Sequence, residues 1–415
     1  MPAPAWGMRR HATVLTCLRL LSVAVNAAFY VIAARVVGAA AFGRAAALIG
    51  LVAVLSLLLD AGTATAATRD AAGQDVPASL AAGLHWRVRG AVATLTVAVM
   101  LAGSARLAGI GARPAVLVVA VLAWSWLASC PPLVTGVLFG HARTAVGAAA
   151  GLSEKVVALT VFLAARHAIP TAAGMAGAAA AGTVAGTAVA VLACRATLRT
   201  AWSRRGVAIG FQLRRSWPFF ISGIGAQLQN LDIPLVAWLA GPAAAGLLAA
   251  PSRMTTPLGV LAASASVVVL VQHRHVGTGS GRAGHAVRAT AIVVTALTLA
   301  GVAPLLIAPA QTAEFLFGPG FSGGADVFRL VAIGVCLSAL SQPLAADLQA
   351  RGRQSRVAAA VLSGGFAGTV TVIVLAPRIG ALGGGVGILV AQVVVAAALL
   401  DCYRGRNRRP EPALT

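Results

Sequence analysis

Lysine is almost missing from this chain. Lys155 stands alone against 31 arginines, and only 10 residues are acidic. A nucleotide-binding loop needs a lysine behind a run of glycines to hold the phosphates. Lys155 instead follows Gly-Leu-Ser-Glu inside an apolar run, so ATP hydrolysis by that route is excluded. Aromatic residues are scarce, at 5%, and charged residues make up only 10%. A nucleic-acid surface needs a basic face interleaved with aromatics, so the net charge of +22 does not indicate a nucleic-acid partner. The cysteines (Cys17, Cys130, Cys194, Cys336, Cys402) sit in or beside apolar runs, with no disulfide or zinc spacing. The histidines fall in connections or at run ends, so no metal site is indicated. Long polar connections are also missing. The largest on the arginine-poor side, about 309–324, holds one acid, Glu314. A membrane-embedded polymerase or transferase would need a large loop there with carboxylates and arginines. No catalytic residue and no cofactor is therefore expected, and the chain reads as a non-enzyme.

What the chain does have is apolar sequence in long bands. Hydrophobic residues make up 59%, and the mean hydropathy is +0.88. A water-soluble domain cannot hide that much apolar surface, whereas a bilayer accepts it as helices of roughly 20 residues. The pattern predicts an all-α integral membrane protein of twelve spans. They run about 12–37, 41–66, 88–111, 115–139, 144–167, 171–195, 217–240, 243–271, 286–308, 325–350, 356–377 and 381–402. With the N-terminus inside, the inner segments hold 22 arginines and the outer ones 7. That asymmetry is the positive-inside signature, and it places both termini on the cytoplasmic side of the cell membrane. It also accounts for most of the charge as contact with anionic lipid headgroups. The opening MPAPAWGMRRHATVLTCL has no small-residue cleavage site and reads as a retained first helix.

The longest inner segment, about 196–216, carries five arginines and separates six spans from six. It divides the chain into bundles 1–205 and 206–415. A weak repeat agrees with this division. Gly38-Ala-Ala-Ala-Phe-Gly43 joins the first two spans, Gly241-Pro-Ala-Ala-Ala-Gly246 joins the seventh and eighth, and an Arg-Arg pair opens each half. Six spans per half is even, so the repeat is parallel, about an axis along the membrane normal. The many alanines and glycines suit close helix packing. The preference for arginine over lysine points as well to a codon bias that favours Ala, Gly and Arg. Trp86, Trp217 and Trp238 lie at span ends, where aromatic belts form.

Ionisable groups inside the hydrocarbon are costly, so each is a functional candidate. Arg19 lies in span 1, on one face with Ser22, Asn26 and Tyr30. Asp60 lies in span 2 at about the depth of Arg19. Span 7 places Ser222, Gly225, Gln229 and Asp232 on one stripe, and Arg253 in span 8 lies at the depth of Asp232. Glu154 sits mid-span in span 5, with Lys155 pointing about 100° away. Two readings follow. In the structural one, Arg19 with Asp60 and Arg253 with Asp232 are ion pairs that fix helix register. In the functional one, Arg19, Asn26, Gln229, Asp232 and Arg253 line a hydrated cavity whose arginines bind phosphate. Asp60, Glu154 and Asp232 are then the acids that could couple transport to a cation.

Several stretches resemble a known family. Arg35-Val-Val-Gly-Ala-Ala-Ala-Phe-Gly-Arg, Leu59-Asp60-Ala-Gly-Thr, Leu239-Ala-Gly-Pro through Pro257-Leu, Phe315-Leu-Phe-Gly-Pro-Gly-Phe-Ser and Gly380-Ala-Leu-Gly-Gly-Gly-Val-Gly occur in the order seen in polysaccharide flippases. These belong to the multidrug/oligosaccharidyl-lipid/polysaccharide (MOP) exporter superfamily. The resemblance covers nearly the whole chain. It implies two six-helix bundles around a V-shaped, alternating-access cavity, with Arg253 resembling the cavity arginine of lipid II flippases. It also implies a flippase for a polyprenyl-pyrophosphate-linked oligosaccharide. The expected partners are then the bilayer, the lipid-linked glycan and other polysaccharide-assembly proteins. A cation-coupled multidrug exporter is the alternative within the superfamily.

Overall fold

The computed structural model describes residues 5–71, 78–107, 113–141, 143–204, 208–276, 281–350 and 353–404. Among these residues the structure is helical, with no strand. The helices are α1 (Ala5–Asp60), α2 (Thr63–Asp70), α3 (Ala78–Leu107), α4 (Arg113–Gly140) and α5 (Thr144–Ala165). They continue as α6 (Ala172–Ala193), α7 (Arg195–Ser203), α8 (Ile209–Leu228), α9 (Asp232–Leu239) and α10 (Pro242–Val276). The last are α11 (Gly281–Ile307), α12 (Pro309–Phe317), α13 (Ala325–Ala350), α14 (Gln354–Ile379) and α15 (Ala381–Arg404). Among the described residues, eight helical stretches are long and apolar enough to cross a membrane, the first being Cys17–Asp60. That stretch holds the first two expected spans, because α1 is broken at Gly38 (φ 74°). α3, the α8–α9 pair and α10 occupy the third, seventh and eighth.

Three boundaries differ from the sequence expectation, each for a local reason. The second span stops at Asp60 rather than 66, because Ala61 (φ 49°) and Gly62 (φ 75°) turn the chain into α2. α3 begins at Ala78, ten residues before the expected start, which brings Arg87 into the helix. The seventh span is interrupted by a 3₁₀ turn, Gln229–Leu231, so its polar stripe is not continuous.

Packing groups the chain into two compact units. The first comprises Met1–Phe29 and Leu48–Asn230, and the second Tyr30–Ala47 and Leu231–Thr415. In the first, Leu80, Leu133, Val137 and Ala201 form one core, and Val134, Leu138, Ala150 and Ala190 a second. In the second, Leu348, Val357, Ala360, Val395 and Leu399 pack together.

Lipid tails are as apolar as leucine, so helix pairing in a bilayer depends on close backbone approach. The glycines supply it at specific places. A Cβ on Gly182 would lie 2.3 Å from the Glu154 carbonyl oxygen, which closes α5 against α6. On α14 and α15, a Cβ on Gly368 would meet Ala391 at 2.8 Å and one on Gly387 would meet Val372 at 2.4 Å. Gly62 is doubly constrained. Its φ is left-handed, and an added Cβ would lie 2.6 Å from the Ser216 carbonyl oxygen. A left-handed alanine costs roughly 1–2 kcal/mol before any collision. Gly62→Ala is therefore expected to lower the thermal midpoint in detergent by several degrees, roughly 2–4 °C for each kcal/mol lost. A midpoint equal to that of the wild type would show that this turn tolerates a side chain.

Candidate translocation site

Three of the arginines carried by the helices, Arg87, Arg19 and Arg253, are held in two different ways. Arg87 on α3 is 3% exposed and fully engaged. It forms an ion pair with Asp60. It also donates to Thr63 Oγ1 at 2.8 Å, to the Gly83 carbonyl at 3.2 Å and to the Ser129 carbonyl at 2.8 and 3.0 Å. Asp60 in turn accepts from the Ala64 amide at 3.1 Å and the Thr63 hydroxyl at 3.1 Å, capping α2 just after the Ala61–Gly62 turn. Two indoles close the node: Trp126 Nε1 donates to the Arg87 carbonyl at 2.6 Å and Trp86 Nε1 to the Leu59 carbonyl at 2.9 Å. A buried ion pair is tolerated when further hydrogen bonds satisfy its remaining donors, and Arg87 meets that condition.

Arg19 and Arg253 are held differently. In the first unit, the Arg19 guanidinium lies over the Phe139 ring, 5.7 Å from its centroid. In the second, the Arg253 guanidinium lies over the Tyr30 ring at 5.5 Å. Arg253 Nε is buried and has no acceptor. Among the described residues, neither arginine reaches a carboxylate. The expected pairs Arg19–Asp60 and Asp232–Arg253 do not form. Asp60 is taken by Arg87, and the sequence had placed Arg87 in a connection.

The remaining candidates sort as follows. Glu154 pairs with its neighbour Lys155, Oε1 to Nζ 2.6 Å, against the expectation from helical angle. Two flexible side chains on adjacent positions can curl together even though their Cβ atoms diverge. Asn26 is half-buried on α1, two turns beyond Arg19. Ser22, between them, donates to the Gly151 carbonyl at 3.4 Å. Gln229 opens the 3₁₀ turn, and Asp232, 3% exposed, opens α9 immediately after it. Asp232 has no ion-pair partner among the described residues. The Ser222 side chain lies outside the described residues. Sequence reasoning missed Arg87, Thr63, Ser129 and Phe139, and it placed Tyr30 beside Arg19 rather than under Arg253. Asp60-Ala-Gly-Thr63 did carry a usable signal, since an Asp before a Gly and a hydroxyl residue reads as a helix cap.

This arrangement is that of a multi-pass, all-helical membrane protein whose fold is the one seen in solved MOP-superfamily transporters. The fold is similar to that of a multidrug resistance MATE family transporter of the MOP superfamily in an inward-facing conformation. The TM-score is 0.68 at 15% identity, covering 95% of this chain and 98% of that one. It is also similar to the lipid II flippase MurJ in an inward closed conformation, with TM-score 0.69 at 11% identity over 94% and 87% of the two chains. A third likeness is to a MOP superfamily transporter from Pyrococcus furiosus, with TM-score 0.59, 14% identity and 95% of each chain. At these identities the likeness establishes the fold. No curated protein matches the chain in sequence. The model of the polysaccharide biosynthesis protein family matches residues 8–271, more than half the chain, and the chain belongs to that family.

Proposed function

We propose that the protein is a flippase that carries a polyprenyl-pyrophosphate-linked oligosaccharide from the inner to the outer leaflet of the cytoplasmic membrane, with both termini inside. The observation that carries this reading is the contrast among the arginines. Arg87 shows what a structural guanidinium looks like in this protein, with a carboxylate and three acceptor groups around it. Among the described residues neither Arg19 nor Arg253 reaches a carboxylate, Arg253 Nε has no acceptor, and each guanidinium rests on an aromatic face. A cation held in that way in a low-dielectric setting is ready for an external anion. A guanidinium fork matches the oxygens of a pyrophosphate. Two uncompensated positive groups, one per unit, are the wrong lining for cationic drugs. The lipid tail stays in the bilayer, so only the head group has to be carried. No step in that transfer requires a covalent change, so we read the protein as a carrier and not an enzyme.

Coupling to a proton or cation would run through an acid. Asp60 and Glu154 are engaged by Arg87 and Lys155, which leaves Asp232, buried at the break before α9, as the candidate.

A chromosomal deletion tests the reading. Loss of the gene is expected to remove a surface glycan and to accumulate its pyrophosphate-linked precursor in the membrane, both reversed by expressing the chain. An unchanged glycan profile combined with new sensitivity to cationic drugs would make the protein a multidrug exporter instead.

A further inference from the structure

The geometry points to Tyr30 as a positioning residue that holds Arg253 in an anion-ready state; this inference rests on the phosphate reading of Arg253 given above. A guanidinium is planar, and its five N–H donors lie in that plane. A carboxylate partner would occupy some of those donors and neutralise the charge. A ring beneath the flat face fixes the group and steadies its charge while leaving the donor edge open. Arg253 shows the ring beneath the flat face and a donor left without a partner. The Tyr30 ring lies 5.5 Å from the guanidinium carbon, and Nε is buried without an acceptor. The same solution recurs independently in the first unit, where Arg19 lies over Phe139.

Tyr30 is itself held firmly. It is 7% exposed and meets Phe42 edge-on at 6.3 Å, and Phe42 meets Phe321 edge-on at 6.1 Å. Gly38, with φ 74°, breaks α1 between Tyr30 and Phe42. Five residues beyond Tyr30, Arg35 donates to the last carbonyls of α12, to Leu316 at 2.7 Å and to Phe315. Past the break, a Cβ on Gly43 would lie 1.9 Å from the Pro242 carbonyl oxygen, so this stretch sits directly on the start of α10, the helix that carries Arg253. Tyr30 comes from the first span but belongs by packing to the unit of Arg253. Within the segment 30–47, Tyr30 is the residue that meets Arg253.

The test is a double-mutant cycle on the full-length protein in detergent, with farnesyl pyrophosphate as the binding probe. Tyr30→Phe keeps the ring and is expected to bind like the wild type. Tyr30→Leu removes it and is expected to weaken binding about tenfold. In an Arg253→Gln background, Tyr30→Leu should change binding no further. Fluorinated phenylalanines at position 30 keep the shape while draining the ring of electron density, and affinity should fall step by step with fluorination. Equal weakening by Tyr30→Leu in both backgrounds, or no trend with fluorination, would overturn the positioning role. Ligand-free melting of the same four proteins separates the two ideas. Non-additive midpoints with no pyrophosphate binding by the wild type would reject the phosphate reading and leave a purely structural pair. Additive midpoints would reject the pair itself.

Discussion

Arg253→Gln is expected to cut glycan export by about a hundredfold, the equivalent of roughly 3 kcal/mol of lost phosphate binding. Glutamine keeps polarity and approximate length but removes the positive charge and the two-pronged fork. Arg253→Lys restores the charge as a point without the fork, so it should recover only part of the activity. Arg19→Gln should act in the same direction, because Arg19 has the same aromatic support and the same lack of a carboxylate. The measurement is surface glycan in a deletion strain complemented to equal protein level, with the membrane-bound precursor quantified alongside. If Arg253→Gln restores glycan fully, the guanidinium does not carry the substrate. The charge of Arg253 is costly to keep in the hydrocarbon, and among the described residues no carboxylate partner offsets that cost. On the proposed reading, the pyrophosphate of the substrate would offset that cost.

The helices were legible in the sequence because a bilayer enforces them: every backbone polar group must be satisfied within its own segment, so each apolar band becomes a helix. The expected span 325–350 coincides with α13, and 144–167 with α5 to within two residues. The breaks were less legible. Ala61 adopts a positive φ that its residue type does not announce, and the 3₁₀ turn at Gln229–Leu231 contains neither glycine nor proline. Both places were read as continuous helix. The ion pairs expected from the sequence differ from those in the structure. Depth along a span can be counted from sequence, but the choice of neighbouring span cannot, so Asp60 was matched to Arg19 when α3 delivers Arg87 to it. Arg87 was hidden by the rule that oriented the chain, since counting arginines toward the inner connections pushed the start of α3 past it. The pairing of the aromatic supports with their arginines left no sequence signal. Phe139 and Arg19 are far apart in the chain, and a tyrosine about three turns from an arginine on the same helix does not reveal that its companion lies on α10.

The largest effect on stability is expected at the Asp60–Arg87 node. Removing one member of a buried pair leaves an uncompensated charge, at a cost of about 3–5 kcal/mol. The two single variants should not be equal. In Arg87→Met, the Asp60 carboxylate keeps the Ala64 amide and the Thr63 hydroxyl, so α2 stays capped. In Asp60→Ala, the guanidinium keeps its carbonyl acceptors at Gly83 and Ser129, but its charge is no longer balanced and the cap on α2 is lost as well. Asp60→Ala is therefore the more damaging change, and little folded protein should survive extraction. The double variant Asp60→Ala/Arg87→Met removes both charges from the apolar surroundings and should melt above Asp60→Ala alone, since only the cap and the packing are then missing. Size-exclusion profiles and melting midpoints of the four proteins decide it. If both single variants melt with the wild type, the node contributes nothing to stability, and the density of hydrogen bonds around Arg87 would need a different explanation in transport. If the double variant is stable but inactive, the node holds the turn at Ala61–Gly62 in a geometry that transport needs, and its role is conformational as well as structural.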